Sequence, residues 1–225
     1  MVSDILNEQR DENLRNFRST CPNIDKMIHY MDCFMTLVSK RLLDYHIRVS
    51  DENEVYRLKL IVSFIRTHYV IIDLVKHSEN IEAVVLLRKQ LELLSRYKEL
   101  ENKSINSLHG KTPYVKNMKN CGPLYGIFSE ISHSSKDETL SLLGEYVSDD
   151  AVAYSLIPVF TKHTITTFSN SVNMFCRFAA EMLTYQKNNI EGCTCDEDMD
   201  IINNFIEEGC RSNIPYFEQW KENKG

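Results

Sequence analysis

Glycine and proline are scarce in this chain, seven and five in 225 residues. A turn-rich β protein needs many more, so the shortage favours helices. No apolar run approaches the roughly eighteen residues of a membrane-spanning helix. The opening segment MVSDILNEQRDENLRNFRST lacks an apolar stretch and carries four acids, which excludes a signal or transit peptide. Positive charge is in short supply: 26 Lys and Arg against 32 Asp and Glu leave a net charge of −6. That argues against a general nucleic-acid coat, which must neutralise many phosphates, but not against a local basic site. Catalytic signatures are missing as well, with no G-x-S-x-G, P-loop, G-x-G-x-x-G or H-E-x-x-H. The seven cysteines are odd in number and scattered, and read as reduced thiols in a cytoplasm. Cys193-x-Cys195 with Cys210 has neither the spacing nor the fourth ligand of a zinc site, so neither a metal nor a cofactor is expected.

What is present is helical periodicity. Hydrophobic residues make up 43% of the chain, enough for a core. Pro22, after Thr20 and Cys21, reads as a first-turn proline and predicts a helix from Ile24 to about Arg48. Ser50, followed by Asp51, Glu52 and Glu54, predicts the next, through Val55, Val62, Tyr69 and Ile72 to about Lys76. Ser78 and Glu79 open a third that fades near Asn102. Short joins between three long helices imply antiparallel neighbours. Residues 102–123 read as a long connection, with at most one short helix after Pro113. A short helix is expected from Pro123 to His133. LSLLGEYV reads equally as a short helix or a small hairpin. From Asp149 to about Gln186 the pattern is helical, with a kink or break at Pro158. The fold class is therefore all-α, an antiparallel helical bundle over 1–190. An acidic linker, a last helix over about 196–208 and a loosely attached tail fill 191–225.

Within that bundle, LLRKQLELLSRYKEL (86–100) is the chemically pointed stretch. At 100° per residue, Glu82, Lys89 and Arg96 form one charged strip, opposite Leu87, Leu91 and Leu94. Arg88 and Glu92 point between these faces, in line with Ile81, Val84 and Val85. Their i,i+4 spacing lets them pair. Two readings stand open: a partly exposed ion pair at the core's edge, or a pair held inside the bundle, where a charge needs a partner. A second polar line is Tyr125, Ser129 and His133 in GPLYGIFSEISHSS, at intervals of four. Two hydroxyls and an imidazole give donors, acceptors and a titratable base. From Asn102 through Ser129 there is no acid, and Lys103, Lys111, Lys116 and Lys119 supply positive charge. This segment reads either as a solvated loop or as an anion-attracting rim.

The succession L-L-R-x-x-x-E and then Y-x-x-x-S-x-x-x-H some thirty residues later resembles an uncharacterised bacterial all-helical family, a domain of unknown function, over about 55–185. The resemblance implies that Arg88, Glu92, Tyr125, Ser129 and His133 form a polar cluster, approaching one another inside the bundle. It implies no activity.

Three functions follow as expectations. The first is a binding module with a buried polar Arg, Glu and His site for an anionic ligand such as a nucleotide or RNA, in which Arg88, Glu92, Tyr125, Ser129, Lys111, Lys116 and Lys119 make the contacts. The second is a metal-independent ribonuclease of the HEPN kind found in toxin and phage-defence systems, with His133 as catalytic base and Arg88 stabilising phosphorane charge. The R-x₄₋₆-H signature of such nucleases occurs as Arg41-LLDY-His46, but about one match is expected by chance in a chain of this composition. The third is a structural or homo-oligomeric helical protein in which the polar cluster only sets helix register.

Overall fold

Every long apolar-periodic stretch becomes a helix, and the longest organises the rest. The computed structural model describes residues 2–45, 51–135, 139, 142–143, 145–148 and 151–222. The helices run α1 (Val2–Thr20), α2 (Ile24–Asp44), α3 (Glu52–Lys76), α4 (Asn80–Glu99), α5 (Ile105–Leu108), α6 (Gly122–Ser132), α7 (Lys162–Asn189), α8 (Asp196–Cys210) and α9 (Pro215–Glu222). An antiparallel hairpin, β1 (Glu145–Ser148) with β2 (Ala151–Tyr154), joins α6 to α7. The protein is an all-helical bundle with that hairpin as an appendage.

Chain punctuation explains the joins. Asp51 caps α3 by accepting the Glu54 amide. At the other end of α3 the chain reverses through Ser78, whose φ is 63°. The Ser78 amide reaches the Val75 carbonyl and the Glu79 amide reaches the Leu74 carbonyl, the two bonds of a Schellman motif. This tight reversal sets α4 antiparallel against α3.

α7 runs through the centre. Phe178 stacks on Phe64 of α3 at 4.2 Å, and Phe175 meets Phe34 of α2 and Phe205 of α8 edge-on. Edge-on and stacked pairs add to burial because ring edges and faces carry opposite partial charge.

Several boundaries differ from the sequence expectation. Pro22 lies in the α1–α2 turn, with Asn23 left-handed (φ 69°) after it, so it precedes the helix. The N-terminal segment forms α1, missed because it carries only Val2, Ile5, Leu6, Leu14 and Phe17 among polar residues. One buried ring, Phe17 packed edge-on against Phe168, fixes it. Val62 and Tyr69, placed on the apolar face of α3, are exposed. The expected helix from Asp149 begins only at Lys162. Pro158 stops helix formation upstream, and Thr161 with Thr164 makes a capping box just after it. Residues 102–123 are ordered: α5, a 3-10 turn at Val115–Asn117 and the buried side chains of Leu108, Val115 and Met118 pack them on the bundle. Residues 191–222 are not set apart, because Phe205, Ile214 and Phe217 join the same core, and 223–225 lie outside the described residues. Among the described residues no helix is long and apolar enough to cross a membrane.

Candidate functional site

The site begins with α4 and what α6 lays across it. Cys121 precedes the first turn of α6 and Pro123 sits inside it, where a missing amide costs nothing. Phe128 is fully buried, and Leu124 and Ile131 pack against the core, so the apolar side of α6 is pinned. The helix ends in a second Schellman motif: Ser134 (φ 46°) sends its amide to Ile131, and the Ser135 amide reaches Glu130. His133 is the C-cap, its amide bonded to the Ser129 carbonyl at 3.1 Å. The ring of His133 therefore hangs from a rigid end.

Four of the polar residues named from sequence meet here. Arg88 Nε donates to Glu92 Oε1 at 3.2 Å, and Nη2 donates to the Tyr125 hydroxyl at 3.2 Å. Tyr125 in turn donates to Glu92 Oε1 at 3.1 Å, closing a three-membered ring of hydrogen bonds. Arg88 Nη1 lies 2.9 Å from His133 Nε2. A guanidinium can only donate, so in this contact the imidazole nitrogen is the acceptor. The Arg88 guanidinium carbon also sits 5.2 Å from the Tyr125 ring centroid, within cation–π range. Burial works against the charge on Arg88, and the Tyr125 bond and the Glu92 carboxylate outweigh it, leaving its pKa raised.

The pair is not held inside the bundle. Arg88 and Glu92 side chains retain 22% and 29% of their exposure. α6 covers only one flank of α4 and leaves Val85, one turn before, 41% exposed. The arrangement is a half-buried rim site, between the two readings open in the sequence. Ser129 lies on the same α6 face, between Tyr125 and His133, and its hydroxyl has no hydrogen bond among the described residues.

Comparison with protein-family models, with curated proteins and with solved structures finds no match. The likeness to the bacterial helical family rests on the two motifs alone.

The loop lysines do not reach the cluster. Lys111 Nζ donates to the Ser107 carbonyl of its own segment. Lys116 and Lys119 are exposed, and neither hydrogen-bonds to Arg88, Glu92, Tyr125 or His133. Arg96, assigned to the charged strip, is buried. Its guanidinium binds the Leu108 and Lys111 carbonyls and pairs with Glu99, which holds the 102–118 segment over it. In the nuclease-like match, Arg41 bonds Gln186 at 2.9 Å and pairs with fully buried Asp198, and His46 lies outside the described residues.

A cationic surface that the sequence did not single out lies on another flank of α4. Between α3 and α4 runs an open groove of about 640 Å³ with Val62, Val70 and Leu86 along it and Lys59, Arg66 and Lys89 around it. No carboxylate lines it, and the three cations make no ion pair among the described residues. The available signal was Lys59 and Arg66, seven apart on α3, interleaved with exposed valines. Among the described residues no group of three or more His, Cys, Asp or Glu is placed to hold a metal.

Proposed function

We propose that this protein binds a phosphate-bearing ligand, a nucleotide or RNA, at the α4–α6 rim. The observation that carries the reading is the Arg88 fork held by Glu92, Tyr125 and His133 together. Three of its five N–H groups are used, which leaves one on each terminal nitrogen for an anion. A fork fixed before the ligand arrives loses less side-chain entropy on binding. The Tyr125 ring and the Ser129 hydroxyl offer a stacking face and a hydrogen bond beside it. Lys59, Arg66 and Lys89 add positive potential along α4, which draws an anion toward a protein of negative net charge. The test is fluorescence anisotropy with a labelled oligoribonucleotide and with a labelled nucleotide. Binding that weakens with salt, and falls about 10- to 100-fold in Arg88→Ala, is the expected result.

One contact favours the ribonuclease as the second reading: the His133 imidazole against the Arg88 guanidinium pairs a candidate base with a group able to stabilise phosphorane charge. Chelator-resistant RNA cleavage, lost by about 10²–10⁴-fold in His133→Ala, marks that outcome. Neither binding nor cleavage leaves the cluster as a device that sets the register of α6 on α4.

A further inference from the structure

A second chemistry lies at the opposite join, between α7 and α8, and is independent of the rim site. Cys193 Sγ and Cys195 Sγ stand 3.5 Å apart. In an extended chain, residues two apart are separated by roughly 6.6 Å, so ordinary backbone would not bring them so close. Here the chain turns through Gly192 (φ 73°) and Cys195 (φ 60°), both left-handed, and the bend folds one thiol onto the other. Their surroundings differ. Cys193 is half-buried and lines a cleft of about 630 Å³ with Arg41, Asp44, Tyr45, Glu191 and Thr194. Cys195 is buried behind it, its thiol 3.8 Å from the Leu183 carbonyl.

We propose that Cys193 and Cys195 are an oxidisable dithiol that exchanges with a low-molecular-weight disulfide of the glutathione class admitted by this cleft. The Cys193 thiolate attacks one sulfur of that disulfide, forming a mixed disulfide and releasing one small thiolate. Cys195 then gives up its proton and attacks the Cys193 sulfur, expelling the second small thiolate and closing the intramolecular bond. The balance is one protein dithiol and one small disulfide in, one protein disulfide and two small thiols out. The sulfurs need close by only about 1.5 Å to reach bonding distance. The order of attack follows from access: the cleft reaches Cys193, while burial pushes the Cys195 thiol up to about 11 and keeps it protonated until the mixed disulfide forms beside it.

The remaining cysteines provide internal controls. Cys21 and Cys121 are buried, and Cys33, Cys176 and Cys210 are half-buried. The full chain, reduced and then equilibrated in glutathione buffers of rising oxidised fraction, is quenched with a thiol alkylator and mapped by mass spectrometry. The expected result is joint loss of alkylation at Cys193 and Cys195, before any other cysteine and with no glutathione retained. Cys195→Ser should trap one glutathione on Cys193, and Cys193→Ser should leave Cys195 alkylated, with helicity of both variants unchanged by circular dichroism. Oxidation of Cys33 or Cys210 while Cys193 and Cys195 remain alkylated overturns the proposal. So does glutathione retained on wild-type Cys193 without ring closure.

Discussion

Arg88 spends its fork on three different chemistries at once, a carboxylate, a phenol and an imidazole, and each partner holds the others in place. Glu92→Ala removes the acceptor of both Arg88 and Tyr125. Because the site is half-buried, the expected cost is about 1–2 kcal/mol by urea denaturation, below that of a fully buried pair. A cost under about 0.5 kcal/mol would make it an ordinary surface pair. His68 presents the opposite case. It is fully buried on α3 against Phe175, with no hydrogen bond to either ring nitrogen among the described residues. Burial pushes its pKa down to about 4 from the ordinary 6.5. Below 6.5 the unfolded chain takes up a proton that the folded chain refuses. Stability is therefore full above about pH 6.5 and is lost as pH falls toward 4, by about 3 kcal/mol from this residue. His68→Leu should flatten the fall in melting temperature between pH 7 and pH 4.5, measured beside wild type. An unchanged slope would contradict the burial account.

Helix ends and helix contacts carry the next level. Asn13 of α1 donates to the His77 and Pro158 carbonyls at 2.9 and 2.8 Å and accepts from the Phe160 amide at 3.0 Å. A single side chain thereby joins α1, the α3–α4 reversal and the approach to α7. Asn13→Ala leaves three half-buried backbone groups without their side-chain partner and should cost about 1–3 kcal/mol in chemical denaturation. At the other end, a Cβ on Gly209 would lie 2.2 Å from the Phe217 ring. Gly209→Ala should push that ring and α9 off the core, at about 1–3 kcal/mol, with faster amide exchange confined to α8 and α9. Periodicity revealed α2, α3, α4 and α7 because each carries a wide apolar face. It missed α1, whose burial rests largely on Phe17, and misread 149–161, because local propensity does not see a hairpin stabilised by its own pairing. The ordered packing of 102–118 depends on Arg96 reaching backbone carbonyls, and no side-chain pattern reports that.

Across the whole molecule, positive charge is distributed unevenly on an acidic background. Arg88 lies at the α6 rim, Lys59, Arg66 and Lys89 line the α3–α4 groove, and half-buried Arg41 and buried Arg96 are committed to holding segments together. Each half of the cluster was legible from spacing, Arg88 with Glu92 four apart and Tyr125 with His133 eight apart through Ser129, while the meeting of the halves was implied only by the family resemblance. The depth of the cluster was not legible, because how far α6 extends over α4 is a tertiary fact. The groove cations were likewise visible as residues but not as a surface. The most direct test is an NMR titration of the protein, with its arginine side chains ¹⁵N-labelled, against adenosine and uridine monophosphates. The Arg88 Nε resonance, assigned by its loss in Arg88→Lys, should shift selectively and saturably, and His133 ring signals should move with it. An Arg88 resonance that stays fixed at saturating nucleotide while Arg66 or other arginines move would contradict the account.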